Sequence, residues 1–430
     1  MIMSNNLDRK IAPEVGGFES LSLPPMRTTT LSNDLTLNII DYGQQEVTRL
    51  TAIWDSGNAE TADIPKSLNL AATLLREGTA STSGREIAEA LDFNGAWLTT
   101  TVESHNTTIN LFSLNSKFDE PLDILIKIIS EPSFPATEFD TYRCQMAQTA
   151  ALNERKVSFL AEQERVRLTY GSSHPLAVTV TPDQILQISR DDVVNAYSRV
   201  IRASLPTVYL SGRVTREIEE KAIKALERLD FPAAKRGLNI VELVPDGSLS
   251  AKVDVDEAIQ NALSFTIPTI TRNHPDYIPL RMLVIMLGGF FGSRLTSNIR
   301  EDKGYTYGIN AGLFGMREGG QIVVSTQCDP AYVGRVADEV RNELSRLRTD
   351  GFSESEIANM RKFVTSQLAS ILESPFTISD NYQLQQVCGT PDDYFRQQFQ
   401  TVNAIDSDKL TLMAQRYIDL DHLYIVNAGK

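Results

Sequence analysis

The two halves of the chain show the same order of hydrophobic and polar segments. In the first half, "LTLNIID" and "VTRLTAIW" alternate apolar and polar residues and precede an apolar stretch over residues 64–77. In the second half, "ALSFTIPTI" precedes an apolar stretch over residues 276–289. A period of two predicts strands, and the longer apolar stretches predict helices. A short second helix then ends at a glycine, Gly95 in one half and Gly304 in the other.

Both halves continue with a hairpin, a long amphipathic helix and a closing strand. The predicted hairpins are "AWLTTTVESHNTTINLFSL" and "YTYGINAGLFGMREGGQIVVSTQ", and the long helices are "EPLDILIKIISE" and "GRVADEVRNELSRLR". The closing strands are "LPTVYLSGRV" and "HLYIVNAGK". Helices gathered against a mostly antiparallel sheet, twice over, predict an α+β fold made of two duplicated domains.

Identical residues at identical spacing support this duplication. The segments "FPATEFDTYR" and "FSESEIANMR" share three residue types at a constant offset of 218 positions (352 − 134 and 361 − 143). The matching residues are Phe134, Glu138 and Arg143 in the first half, and Phe352, Glu356 and Arg361 in the second. The Pro- and Gly-containing stretch from about Phe231 to Asp256 is typical of a linker. We therefore predict two homologous domains, residues 1–235 and residues 236–430.

Composition narrows the class of protein. The 430 residues are 42% hydrophobic and 22% charged, as in soluble globular proteins. A formal net charge of −14 argues against nucleic acid as a partner and tolerates basic peptides. No apolar run approaches the roughly 18 to 20 residues that a membrane span needs. The start, "MIMSNNLDRKIAPEVGG", lacks the apolar region of a secretory signal, which predicts a cytoplasmic protein, or a periplasmic one if a signal has been removed.

The sequence contains no self-sufficient catalytic motif. There are only four histidines, and neither H-E-x-x-H nor H-x-x-E-H occurs. A serine-nucleophile elbow, a phosphate-binding loop and a dinucleotide fingerprint are also absent from the sequence. The three cysteines are far apart, which excludes a disulfide framework or a cysteine zinc knuckle and favours free thiols. We therefore predict that the chain is not an enzyme on its own.

Two segments carry a resemblance to a known family. "LGGFFGSRLTSNIREDKGYTYGINAG" and "LASILESPFTISDNYQLQQVCG", together with the duplication, resemble the C-terminal part of an insulinase-type zinc peptidase. This is the inverted-zincin family that includes pitrilysin and the mitochondrial processing peptidase. The resemblance covers nearly the whole chain from about Thr36 and implies two duplicated domains, each a sheet packed with helices.

In active members of that family, the first domain carries H-x-x-E-H shortly before a Gly-Thr pair. Here the pair is Gly78-Thr79, and the two histidine positions hold Asn69 and Thr73, while the glutamate position holds Ala72. Zinc needs imidazole or carboxylate donors, and alanine cannot act as the general base. The window for the third ligand, residues 149–151, holds no carboxylate either. The resemblance therefore implies that this chain binds no metal cofactor.

The resemblance also implies a role for two residues of the second half. The family has an arginine and a tyrosine, seven positions apart, which bind the substrate main chain and stabilise the tetrahedral intermediate. Arg300 and Tyr307 match that pair. By alternation along the strand, we expect Tyr305, Tyr307, Ile309, Ala311 and Leu313 to share one face. Without the family match a purely structural role is favoured, because the helix dipole favours arginine at a C-terminus and tyrosine is common on strands.

These observations lead to one leading hypothesis about function. We predict a pseudo-peptidase subunit that supplies Arg300 and Tyr307 to a zinc-bearing homologous subunit, which would hydrolyse peptides with zinc of its own. The alternative is an inactive family member that acts as a structural scaffold or peptide-binding protein without a hydrolytic partner. A homodimer of the chain is also compatible with the sequence. The missing ligands weigh against an active single-chain zinc peptidase.

Overall fold

The computed structural model describes residues 16–232, 240–315 and 317–430. Its strands are β1 Arg27–Thr30, β2 Thr36–Asp41, β3 Val47–Trp54, β4 Trp97–Val102, β5 Thr107–Leu114, β6 Thr207–Gly212, β7 Ser250–Asp254, β8 Asn261–Thr269, β9 Thr306–Gly315, β10 Gly320–Cys328 and β11 Tyr424–Gly429. They form two sheets, with the orders β1-β2-β6-β3-β5-β4 and β7-β11-β8-β10-β9.

Helices account for most of the remaining described residues. The α-helices are α1 Ser67–Leu74, α2 Gly84–Phe93, α3 Asp119–Ser130, α4 Ala136–Asn153, α5 Val157–Tyr170, α6 Pro182–Leu186, α7 Arg190–Val200, α8 Arg216–Leu226, α9 Tyr277–Val284, α10 Val333–Leu347, α11 Glu354–Ile371, α12 Pro375–Cys388, α13 Tyr394–Ala404 and α14 Ser407–Tyr417. Two π-helical segments, Ile285–Gly289 and Thr296–Asp302, follow α9. No helix of these described ranges is long and apolar enough to cross a membrane.

The two sheets have the same topology. Without β1, the order β2-β6-β3-β5-β4 of the first sheet matches the order β7-β11-β8-β10-β9 of the second, strand for strand. The outer pairs β2/β6 and β7/β11 are parallel, and the other pairs are antiparallel. Helices cover one face of each sheet over a separate hydrophobic core. The predicted α+β fold with a duplicated, mostly antiparallel design is confirmed.

Matching side-chain contacts accompany the matching topology. Helix α4 and helix α11 each have 18 residues, and their first residues are 218 positions apart (354 − 136). Nη1 of Arg143 donates a hydrogen bond to the carbonyl oxygen of Ile188 at 2.9 Å. Nη2 of Arg361 donates to the carbonyl oxygen of Ile405 at 2.6 Å. The arginine repeat in the sequence therefore reflects the same helix-to-loop contact in both halves.

One part of the predicted linker is a strand. Strand β7 lies inside the stretch predicted as linker, and Ser250 pairs in parallel with Ile425 of β11. Because β7 is a sheet edge with only two partly buried apolar side chains, its sequence lacks the apolar run of a central strand. The linker prediction is wrong for these residues. The predicted domain boundary between residues 235 and 236 lies outside the described residues, and the division there stays a prediction.

Each half of the chain contributes a helix to the other half's sheet. Helix α5 packs on the second sheet, where Ala161 and Leu168 contact Val426 on the face opposite the main core. Helix α12 packs on the first sheet, where Ile378 contacts Ile40 and Tyr209. This exchange buries apolar side chains that would otherwise face solvent on each sheet. We call α5 and α12 the exchanged helices.

Candidate functional site

Arg300 lies in the last turn of the π-helical segment Thr296–Asp302. The segment ends at Asp302, and Gly304, two residues later, has a φ of +63° in the left-handed region that glycine adopts without strain. Its counterpart in the first half, Gly95, has a φ of +61°. The predicted glycine-terminated helix is thus present in both halves, and Gly304 turns the chain into β9. π-Helical turns are rare and recur at functional sites.

A β-bulge in β9 sets the direction of Tyr307. Thr306 of β9 pairs with Cys328 of β10, and Ile309 pairs with Thr326. The two β9 residues are three positions apart, whereas their partners are two positions apart, so β9 contains one extra residue here. Such a bulge interrupts the alternation of side chains along a strand. Ile309 is buried in the core, whereas the side chain of Tyr307 is 91% exposed. The prediction that Tyr307 shares one face of the strand with Ile309 is therefore wrong. It assumed regular alternation along β9, which the bulge interrupts.

Thr306 stabilises the bulge with a buried hydroxyl. Its Oγ1 lies 2.7 Å from the carbonyl oxygen of Gln327 and 2.8 Å from Oγ1 of Thr326. The same oxygen accepts the N–H of Gly308 at 3.1 Å. No sequence pattern singles out Thr306, since threonine is common on strands. Its contacts make it the residue that fixes the backbone next to Tyr307.

Arg300 and Tyr307 are brought together, and a third residue joins them. The guanidinium carbon of Arg300 lies 5.6 Å from the ring centroid of Tyr307 and 5.1 Å from that of Phe291. Both distances suit cation–π contact. Phe291 is 64% exposed, although it follows a buried helix. Sequence reasoning missed Phe291; the available signal was a large apolar residue between glycines in "GGFFGS".

The π-helical segment is anchored to α10 by a charged network. Nδ2 of Asn298 donates to Oε1 of Glu343 at 2.7 Å and to Oε2 of Glu339 at 3.1 Å. Nζ of Lys303 forms an ion pair with Oε2 of Glu339 at 2.5 Å. The hydrogen bond from Lys303 is the main cause of a lowered pKa at Glu339. Glu343 is buried. Through Asn298 and Lys303, the network attaches the segment that carries Arg300 to α10.

A polar cavity of about 360 Å³ opens beside Tyr307. Helix α5 contributes Ser158 and Glu162 to its wall, and the second sheet contributes Asn310 and Ser325. Oγ of Ser325 donates to Oδ1 of Asn310 at 3.1 Å. Hydroxyl and amide groups on this wall suit hydrogen bonding to a peptide main chain. The phenol of Tyr307 therefore lies at a surface with room for a ligand.

The degenerate metal positions lie on α1 in the first half. Ala72 is buried, and the hydroxyl of Thr73 donates to the carbonyl oxygen of Asn69 at 2.9 Å. Oδ1 of Asn69 is buried without a hydrogen-bond partner in the described structure. One amide oxygen and one hydroxyl committed to the backbone are not a zinc donor set. These residues do not fit a zinc ion.

The third-ligand window lies on α4, which packs against α1. The side chains of Thr149 and Ala151 are exposed, and the Thr149 hydroxyl donates to the carbonyl oxygen of Gln145 at 2.9 Å. Within residues 16–232, 240–315 and 317–430, no group of three His, Cys, Asp or Glu side chains is placed to hold a metal. No hydrogen bond, ion pair or ring contact in those ranges joins Arg300 or Tyr307 to α1.

The family follows from comparison with known proteins. Residues 187–363 match the family model described as the peptidase M16 inactive domain. A crystal structure of a peptidase M16 inactive domain from Pseudomonas fluorescens superposes with a TM-score of 0.86 at 20% identity, over 94% of this chain and 98% of that one. Residues 187–363 thus resemble the M16, or insulinase-type, peptidases in sequence, and nearly the whole chain shares their fold. The predicted resemblance is confirmed.

Relatives within the M16 family include proteins described as lacking activity. A Helicobacter pylori protein described as a non-peptidase homolog is 23% identical over 243 residues, which are 56% of this chain and 56% of that protein. A Bacillus subtilis protein described as an uncharacterized zinc protease is 20% identical over 317 residues, which are 73% of this chain and 76% of that protein. Together with the missing donors on α1, the inactive-domain match and the non-peptidase relative support an inactive M16 homologue.

The fold of this M16 homologue corresponds to half of a longer protease. The crystal structure of the periplasmic protease PqqL from Escherichia coli matches 98% of this chain with a TM-score of 0.78 at 16% identity. The match covers only 49% of the PqqL chain. A two-sheet unit of this size is therefore found elsewhere as one part of a chain about twice as long.

Proposed function

We propose that this chain is the non-catalytic subunit of a heteromeric zinc metallopeptidase. In this proposal, a homologous subunit carries zinc and the general base, and this chain supplies Arg300 and Tyr307 to the partner's site. The substrate is a peptide, and the reaction is metal-assisted hydrolysis of its main chain. Nothing in the reaction is assigned to α1 of this chain, since its side chains do not fit a metal.

The observation that carries the proposal is the exposure of Tyr307 in contact with Arg300. A tyrosine serving only the fold would be expected to bury its ring, yet this ring is 91% exposed and its backbone is redirected by a bulge. The guanidinium offers fixed, charged donors to a peptide carbonyl, and the phenol can donate to a developing oxyanion. Among the described residues, no group of side chains that could hold a metal lies beside this pair, which supports a site completed by another chain.

The match to PqqL supports a partner of similar architecture. The match to about half of PqqL leaves an equal part of that protease without a counterpart here. A homologous second subunit would provide it. The net charge of −14 favours basic over acidic peptides, because it attracts the former and repels the latter at long range.

The test is reconstitution with the homologous chain of the same host that carries H-x-x-E-H. Each chain is purified alone, and peptide hydrolysis is measured for the separate chains and for the mixture. We expect activity in the mixture only, lost with a chelator and restored by zinc. If the zinc-bearing chain is equally active alone, the proposed role is wrong, and the alternative of a scaffold or peptide-binding protein takes its place.

A further inference from the structure

The second half contains a cavity between helices that correspond to α1 and α4 of the first half. Helix α9 follows β8 as α1 follows β3, and the offset of 218 between α4 and α11 places Gln367 at the counterpart of Thr149. Between α9, α11, α12 and α13 lies a cavity of about 210 Å³. Gln367 and Arg281 line it from the two helices that correspond to the metal-binding helices of the family. We call it the arginine cavity.

Two arginines line the arginine cavity without a carboxylate partner. Arg281 lies on α9, and its Nη1 donates a long hydrogen bond to Oε1 of Gln398, at 3.4 Å. Arg272 follows β8, and its guanidinium carbon lies 5.5 Å from the ring centroid of Tyr277. The Nε of Arg272 is buried without a hydrogen-bond partner in the described structure. No Asp or Glu is among the described residues that line this cavity.

The electrostatics of this pair are unfavourable without a counter-ion. Burial lowers the pKa of Arg281, and the positive charge of Arg272 lowers it further. A guanidinium nevertheless stays protonated in proteins, so both charges persist. Two like charges in a partly desolvated site destabilise the fold unless an anion compensates them. The missing negative charge is therefore expected to come from outside the chain.

Neutral donors complete the lining. The side chain of Gln385 on α12 is 6% exposed, and its Nε2 is buried without a partner in the described part of the chain. The phenol of Tyr394 also lines the cavity, and burial raises its pKa to about 12, so it remains a donor at neutral pH. Guanidinium, amide and phenol groups together offer hydrogen-bond donors from several directions. This is the donor arrangement that an oxyanion requires.

We propose that the arginine cavity binds a small oxyanion between Arg272 and Arg281. Its volume is below the roughly 300 to 1,000 Å³ of sites for drug-sized ligands, which restricts the ligand to an ion such as phosphate or to the carboxylate end of a small molecule. The site is separate from Arg300 and Tyr307 and does not depend on a peptidase partner.

The experiment uses the full chain, inorganic phosphate and sodium acetate, with ionic strength held constant by chloride. Binding is measured by titration calorimetry and by the shift of the thermal unfolding midpoint. We expect one phosphate or one acetate per chain, with saturable stabilisation. The tighter of the two ions identifies the ligand as tetrahedral or as a carboxylate. Failure of both ions to bind the unaltered chain overturns the proposal.

Two variants and a matched control locate the binding. Arg281→Gln removes one charge, and we expect it to weaken binding by at least about tenfold, as for loss of a charge-assisted hydrogen bond. Gln385→Glu supplies an internal carboxylate, so it should abolish binding while keeping or raising the midpoint without added anion. Arg85→Gln removes an exposed charge from α2 and should change nothing. Equal binding by the unaltered chain and both cavity variants would contradict the assignment.

Discussion

The guanidinium carbon of Arg300 lies 5.6 Å from the ring centroid of Tyr307, and that ring is 91% exposed. The contact brings together two groups that a left-handed glycine and a β-bulge separate along the backbone. Cation–π contact with both Tyr307 and Phe291 restricts the arginine before any ligand arrives. A restricted donor loses less conformational entropy on binding, which favours this pair as a preorganised contact for a peptide.

Tyr307→Phe is expected to lower the kcat of the reconstituted pair by about a hundredfold, since it removes one oxyanion donor and keeps the ring. KM should change little if the phenol acts mainly in the transition state. Steady-state kinetics with a fluorogenic peptide provides the measurement. Tyr42→Phe removes an exposed phenol from the first half and is the matched control. Unchanged kcat in the Tyr307 variant, with normal assembly, would refute its role.

Arg300→Lys is expected to raise KM, because lysine keeps the charge but loses the planar fork that binds a carbonyl or carboxylate with two donors. Loss of a charge-assisted hydrogen bond should cost about 1.5 to 3 kcal/mol of transition-state stabilisation. The comparison of kcat/KM between the variant and the unaltered pair measures this cost. Arg85→Lys, on an exposed helix face, is the control. A variant as active as Arg85→Lys would exclude a geometric role.

Thr306→Val tests whether the bulge positions Tyr307. Valine is close in shape, but it leaves the N–H of Gly308 without its acceptor, which should lower the free energy of unfolding by about 1 to 3 kcal/mol. Urea denaturation measures this loss. Thr101→Val on the exposed edge strand β4 is the control for removal of a hydroxyl. If Tyr307 depends on the bulge, kcat should fall in the Thr306 variant and remain unchanged in the Thr101 variant.

Arg49→Ala is expected to loosen the exchanged helix α12. Arg49 is 6% exposed and donates to Asp380 at 2.6 Å and to the carbonyl oxygen of Phe376 at 2.9 Å. Its guanidinium also lies against the rings of Phe112 and Phe376. Truncation should cost about 3 kcal/mol of unfolding free energy. Asp380→Asn, at an exposed partner, should cost less than about 1 kcal/mol. Equal losses in denaturant titrations would contradict this asymmetry.

Glu339→Gln is expected to destabilise the chain at neutral pH and not at low pH. The pKa of Glu339 is lowered in the fold, chiefly by Lys303. Its ionised form therefore stabilises the fold above the ordinary glutamate pKa of about 4.3, and this contribution is lost as pH falls through the lower folded value. Thermal unfolding of both proteins from pH 7 downward measures the difference. A gap in stability that persists in acid would rule out the ion pair as its source.

The duplicated fold could be predicted because local signals agree with it. The glycines at 95 and 304 end helices in the left-handed conformation, and the repeated arginines at 143 and 361 make matching contacts. Strand pairings between distant segments are harder to predict from local sequence patterns. Strand β7 is a polar edge, and its assignment depends on β11, which lies far along the chain. Period-two reasoning cannot detect an inserted residue, so the bulge before Ile309 was missed.

The candidate site was predicted in part. The pairing of Arg300 with Tyr307 follows from the family resemblance, and the two side chains are in contact. Their role in hydrolysis stays a prediction. Phe291 was missed because an exposed aromatic residue has no periodic signature. The arginine cavity was missed because Arg272 and Arg281 come from different elements. Their unusual feature is that no carboxylate among the described residues lines the cavity with them. A missing carboxylate partner can be recognised only from the three-dimensional surroundings of the two arginines.

The exchanged helices restrict how the molecule can move. A hinge that opened one half against the other would pull α5 from Val426 and α12 from Tyr209 at the same time, exposing both apolar surfaces to water. If the chain forms half of a peptide-degrading chamber, entry and release are expected at the seam between subunits, with each subunit moving as a single rigid shell.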